Sequence, residues 1–316
     1  MNQIDYRKNG LDFVRYYAAL SVMTLHFSGL YMIYCDNSNN RIADFFRSVS
    51  LSIPGVVVFF AISGFFAMAS LEKAYESNPD CPIKYFVTKK LVRIFPEYWL
   101  CTFINAVVII ILAYDKLDKS FALWLGTQLF GIANTPSCLK GFATGSVNGP
   151  LWTVFVQIQI YVVIALTYKW LQKMSKVGWG IIILLSIVAN GLCEYIANAF
   201  DESIVSKLIE RSVVPYFLWA ILGAFIFRYI DMIIPVLKRT WWILLVILLI
   251  FGRLTYLKET VATYGYYTSI LIGIFHTVCY YWMCLFTTFQ ACQRYFVQHI
   301  FVPVDSDKYY NSFQFI

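Results

Sequence analysis

Charge is scarce in this chain: Asp, Glu, Lys and Arg supply 14% of its 316 residues, against about 25% in an ordinary soluble domain. Hydrophobic residues supply 59% and aromatic residues 19%. A water-soluble protein of this length has no core large enough to hide so much apolar surface. The composition therefore excludes the ordinary soluble classes and points to lipid as the solvent. Histidine is rarer still, at three in the chain, and no Cys-X-X-Cys pair or mixed Cys/His spacing occurs. No metal site is expected from such a pattern. The chain also lacks a linker and a convincing internal repeat, which leaves residues 1–316 as a single membrane domain.

What is present is a succession of long apolar runs. A helical span needs roughly 20 such residues. Candidates are Leu11 to Ile33, Leu51 to Leu71, Ile94 to Tyr114, Leu151 to Leu171, Trp179 to Ala199, Val213 to Ile230, Trp241 to Leu257 and Val261 to Phe289. Phe121 to Ile132 is too short to cross and reads as an interfacial or re-entrant piece; Val297 to Val304 is also too short. The fold class is all-α, a polytopic transmembrane helix bundle. Arg7 and Lys8 precede the first run, which has no small-residue cleavage site after a short core. It reads as a retained span rather than a removed signal.

The net charge is +7. With the N-terminus inside, the side that collects Arg7, Lys8 and the block Lys84 to Arg93 holds the excess of basic residues. The positive-inside rule then gives a cytoplasmic N-terminus, and the expected location is the cell inner membrane, as a multi-pass protein. Because the excess is a topology signal, no nucleic-acid partner follows from it. Among the eight cysteines, Cys101, Cys193, Cys279 and Cys284 fall in apolar runs, where they are expected as small buried hydrophobes. Cys35 and Cys138 fall in segments placed outside, and their pairing is left open.

Chemistry-bearing residues are few enough to name. Arg15 and His26 lie in the first run, eleven residues apart. That spacing is about three helical turns, so both share one face, about 16 Å apart along the axis. A guanidinium within a span is costly unless it meets a cavity or a partner. Imidazole is the group best suited to take a proton near neutral pH. The bland alternative is a snorkelling Arg and a hydrogen-bonded interior His. Asp12, three residues before Arg15, is placed to orient it.

Ser63 and Gly64 lie in the second run, where the glycine serves either helix packing or close approach of a ligand. Lys90 and Arg93 open the third run as i,i+3 neighbours. They form a cationic patch at the cytoplasmic surface, fit for phosphate or for anionic lipid. Glu97 is four residues from Arg93. Trp152, Gln157, Gln159 and Tyr161 lie at the start of the fourth run and suggest a polar interior face or interhelical glue. Glu194 and His276 rank below His26.

These pieces occur in a recognisable order. The run Leu11-Asp12-Phe13-Val14-Arg15-Tyr16-Tyr17-Ala18-Ala19-Leu20, ending in His26, resembles the opening of the acyltransferase family 3 membrane proteins. Phe59-Phe60-Ala61-Ile62-Ser63-Gly64-Phe65 is similar to that family's second-span motif. Lys89-Lys90-Leu91-Val92-Arg93-Ile94-Phe95-Pro96-Glu97-Tyr98-Trp99 resembles its basic loop and third-span start. Pro150-Leu151-Trp152-Thr153, with Gln159 and Tyr161, resembles its fourth-span signature. The four motifs cover roughly the first half of the chain.

The resemblance implies about ten spans and O-acylation of a carbohydrate hydroxyl, often acetylation of O-antigen, capsule or peptidoglycan. The donor it implies is acyl-CoA, in the first instance acetyl-CoA, on the cytoplasmic side. It makes Arg15 and His26 catalytic. It places Asp12, Ser63, Gly64, Lys90, Arg93, Trp152, Gln157 and Tyr161 around the substrates. The partners implied are acyl-CoA, a lipid-linked or surface carbohydrate and membrane lipid. Three departures stand out, the first being eight clear spans here against about ten in the family. Lys90 replaces an arginine and loses its bidentate fork. Gln157 stands where the family has Glu, and an amide cannot ionise. A glycan or lipid-linked-sugar transporter or flippase, and a catalytically degenerate family member, are the rival readings.

Overall fold

The computed structural model describes residues 14–16, 18–24, 26–27, 55–112, 114–131, 149–200, 204–233, 235–236, 239–240 and 243. Among them, the α-helices with defined bounds are α1 (Gly55–Ser77), α2 (Pro82–Leu112), α3 (Lys119–Leu129), α4 (Trp152–Lys173), α5 (Lys176–Ala199), α6 (Ile204–Glu210) and α7 (Phe217–Arg228). A leading segment is helical at 14–16, 18–24 and 26–27. No strand occurs among the described residues. α1, α2, α4 and α5 are long and apolar enough to cross a membrane. α7, with the 3-10 turn Val214–Tyr216 before it, is a shorter apolar helix.

Local chemistry sets the helix starts. Pro82 opens α2 at a position where its missing N–H costs nothing. Asp118 caps α3, its carboxylate accepting from Ser120 N at 2.8 Å. Ser175 caps α5, its hydroxyl accepting from Gly178 N at 3.1 Å. α2 begins at Pro82, not at Ile94, so the basic block Lys84 to Arg93 forms its first turns instead of preceding a span. The run beginning at Val213 yields a 3-10 turn and a 12-residue helix, not one continuous span. Cys101 and Cys193 are half-buried, not enclosed. The runs Trp241 to Leu257, Val261 to Phe289 and Val297 to Val304 lie outside the described helices, as do Cys35, Cys138, Cys279 and Cys284.

α1 is the axle of the bundle. It packs against α7, α4 and α2, and buries Phe60, Ala61, Ile62, Phe65, Ala67, Met68 and Leu71. A helix that is apolar all round belongs in the middle of its fold. Its contact with α7 is made backbone to backbone. A Cβ on Gly64 would sit 1.9 Å from the Ala220 carbonyl oxygen, and one on Gly223 would sit 1.9 Å from the Ala61 carbonyl oxygen. Small residues let membrane helices approach this closely, and dispersion then supplies the attraction that water cannot.

The periphery is apolar outward. α5 exposes Val177, Ile181, Leu184, Leu185, Val188 and Leu192, and α2 exposes Leu100, Phe103, Ile104 and Ile111. Such a surface suits hydrocarbon, not water. Polar side chains inside the bundle bind between elements. Gln159 donates to Arg211 O and accepts from Val213 N, both at 2.9 Å. It ties α4 to the turn before α7.

Candidate functional site

One polar chain crosses the centre of the bundle. Gln157 Nε2 donates to Ser63 Oγ at 2.9 Å and to Tyr161 Oη at 2.8 Å. Gln157 and Tyr161 are i,i+4 on α4 and so share a face; Ser63 meets them from α1. Tyr161 is buried, with its ring edge-on to Phe86 of α2 at 6.0 Å and 89°.

Cations gather on this chain. Lys90 Nζ lies 5.0 Å from the centre of the Tyr161 ring and 5.5 Å from that of Phe86. Arg15 of the leading segment lays its guanidinium 4.1 Å above the Phe66 ring of α1. The charges of Arg93, Arg15 and Lys89 all act on Lys90. Those of Arg15 and Arg93 also act on the Tyr161 hydroxyl. Like charges brought together repel, and the aromatic faces beneath Arg15 and Lys90 offset part of that cost. The result is a concentration of positive charge with fixed donors, the arrangement that binds an anion such as phosphate.

The structure thus brings together Arg15, Ser63, Lys90, Arg93, Gln157 and Tyr161. Lys90 is half-buried and turned onto α4, so the basic patch reaches inside the bundle instead of lying only on its surface. Gly64 faces α7 and is filled by the Ala220 backbone. Trp152 lies one end of α4 away from Tyr161, in an aromatic group with Phe60 at 6.2 Å and Tyr216 at 5.1 Å. His26 is exposed, and the leading segment carries it past Gly55, whose position abuts Ala18 and Val22. Gln159 is glue, and Glu194 is exposed. Asp12 and His276 lie outside the described residues.

Sequence reading assigned no role to four residues. Phe86 was legible as the residue one turn before Lys90 on the same face. Phe66 and the buried pair Tyr98–Gln128 were not legible, because their partners are remote in sequence. Among the described residues no group of three or more His, Cys, Asp or Glu could hold a metal ion.

Residues 8–301 match a family model described as an acyltransferase domain. A Bacillus subtilis (strain 168) protein, YrhL, described as a candidate peptidoglycan O-acetyltransferase, is 23% identical over 159 residues. That alignment covers 49% of this chain and 22% of the relative. No solved structure matches the chain.

Proposed function

Because the chain belongs to the acyltransferase domain family, we propose that it is a membrane O-acyltransferase. It moves an acyl group, acetyl in the first instance, from acyl-CoA to a hydroxyl of a cell-surface carbohydrate. The observation that carries this reading is half-buried Lys90 over the Tyr161 ring, with Arg15 over Phe66 and exposed Arg93 one turn on from Lys90, beside the Ser63–Gln157–Tyr161 chain of a lipid-facing bundle. Coenzyme A is a polyanion on a narrow thioester arm. Its phosphates suit the cations, and the arm suits the polar chain between helices.

In this mechanism the cations hold the donor from the end of the bundle where α1 meets α2 and α4 meets α5. That end also carries the exposed Lys73, Lys84, Lys169, Lys173 and Lys176, which makes it the cytoplasmic side under the positive-inside rule. His26 lies about 16 Å further along the leading segment from Arg15. There it takes the proton of the acceptor hydroxyl. The oxygen attacks the thioester carbonyl, the C–S bond breaks, and the thiolate leaves to take up a proton. General-base help of this kind is worth about 10²–10⁴-fold. Gln157 takes no part in proton transfer; it orients Ser63 and Tyr161.

The test is incubation of purified protein with labelled acetyl-CoA and candidate glycans. Ester formation that disappears in His26→Ala, with the protein still inserted in the membrane, supports the assignment. Undiminished transfer by that variant removes the base role. Donor binding without product from the wild type supports a degenerate relative, a reading motivated by Gln157. Movement of a lipid-linked sugar without ester formation supports a transporter.

A further inference from the structure

The hairpin of α4 and α5 carries charge of one sign. From Trp152 to Cys193 the chain holds Lys169, Lys173 and Lys176 and no acid. Lys169 reaches back to α1, its ammonium 5.5 Å from the centre of the Tyr75 ring, which stacks on Tyr168. Lys173 and Lys176 are exposed and flank the turn made by Met174 and Ser175. Three residues of chain span at most about 11 Å, so both ammonium groups can close on one anion. Met174 folds onto Gly178, where a Cβ would lie 2.6 Å from the Met174 Cγ. The turn therefore presents a small exposed serine between two lysines. Exposed apolar side chains run from this turn along both helices. On α4, Leu166 and Trp170 stand four residues apart on one face. On α5, Val177, Ile181 and Leu184 follow at helical spacing, and among the described residues of that helix only Trp179 and Ser186 are buried. Trp170 sits where the apolar stripe gives way to lysine, the place an amphipathic ring takes at the level of lipid headgroups.

We infer that the α4–α5 turn is a binding site for one anionic phospholipid. Lys173 and Lys176 take the headgroup phosphate, Trp170 stands at the level of the glycerol, and the acyl chains lie along Leu166 and Ile181. Charge complementarity selects this occupant. A net-negative headgroup gains from both lysines, whereas the cationic end of a zwitterionic headgroup meets them with repulsion. The apolar stripes select it a second time, because a phospholipid uses the lysines, the indole and the aliphatic side chains together. Acids at this end of the bundle do not weaken the seat: Glu72 and Glu76 belong to α1 and act on the buried Tyr168 hydroxyl. The site is separate from the Lys90 centre, since Lys173 is twelve residues from Tyr161, about 18 Å along α4. It is also independent of the acyl-transfer reading. A lipid held there pins the hairpin to the headgroup plane and so fixes the depth of α4, the helix that carries Gln157 and Tyr161.

Native mass spectrometry of the purified full chain tests this, with dioleoylphosphatidylglycerol and dioleoylphosphatidylcholine offered in equal amounts. The wild type should retain one phosphatidylglycerol in preference. Lys173→Gln with Lys176→Gln should weaken that retention about 30-fold, roughly fivefold for each charge. Lys173→Arg with Lys176→Arg keeps the charge and should keep the lipid. Lys73→Gln with Lys84→Gln removes the same charge from exposed positions at the same end and should leave retention unchanged. Equal retention of the two lipids by the wild type overturns the site. So does an equal loss in both glutamine pairs, which would show diffuse attraction only, or a loss in the arginine pair. Displacement of the lipid by excess coenzyme A would assign the lysines to the donor's phosphates and overturns the lipid site as well.

Discussion

Replacing Gly64 with alanine should damage stability and the site together. The added Cβ falls 1.9 Å from the Ala220 carbonyl oxygen, 2.7 Å from its carbon and 2.9 Å from its Cα. All three are backbone atoms, so no side-chain rotation relieves the clash. α1 and α7 must part by at least about 1 Å, and a gap of that size forfeits roughly a quarter to a half of the dispersion at each facing atom pair. Overpacking costs about 1–3 kcal/mol where side chains can adjust; here the upper end of that range is expected. Ser63 is the next residue and holds Gln157 at 2.9 Å. A shift of about 1 Å takes that bond past the usual hydrogen-bond limit, and misplacement of this size can cost about 10²-fold in rate. Thermal unfolding in detergent, followed by size-exclusion recovery, reads the stability, and labelled-acetyl transfer reads the rate. Gly223→Ala should behave alike from the other side, since its Cβ falls 1.9 Å from Ala61 O. Gly126→Ala is the control, with nothing within 4 Å, and should gain up to about 1 kcal/mol from helix propensity. Wild-type unfolding temperatures for both Gly64→Ala and Gly223→Ala would refute the backbone contact.

Lys90→Met should weaken acetyl-CoA binding about 10–100-fold, the loss of one charge-assisted contact, while Lys90→Arg retains most of it; isothermal titration in nanodiscs checks both. Gln159→Leu should lower unfolding stability by about 1–3 kcal/mol, because Val213 N loses its acceptor. Donor affinity should stay unchanged in that variant, and a thermal melt with and without acetyl-CoA separates the two effects. Gly131→Ala should cost about 1 kcal/mol, since a Cβ disfavours the left-handed backbone there. Chemical denaturation of the reconstituted protein measures it.

Membrane residence, helical class and the positions of α1, α4 and α5 were legible in the residues, because bilayer thickness and apolar content act locally along the chain. So was the proximity of Gln157 to Tyr161 and of Lys90 to Arg93, which helix periodicity alone dictates. The start of α2 was misread because its basic turns are too polar for a hydropathy window, yet they continue the same helix. Other features depend on which faces meet. Sequence cannot say that Lys90 turns onto Tyr161, that Arg15 lies on Phe66, or that Gly64 is spent on Ala220. It also left the short run near Phe121 undecided between a surface and a descending helix. Only the packing of Trp124 on Ala106 and Ile109, and of Gln128 on Tyr98, set α3 beside α2, because a residue's neighbours in space are not its neighbours in the chain.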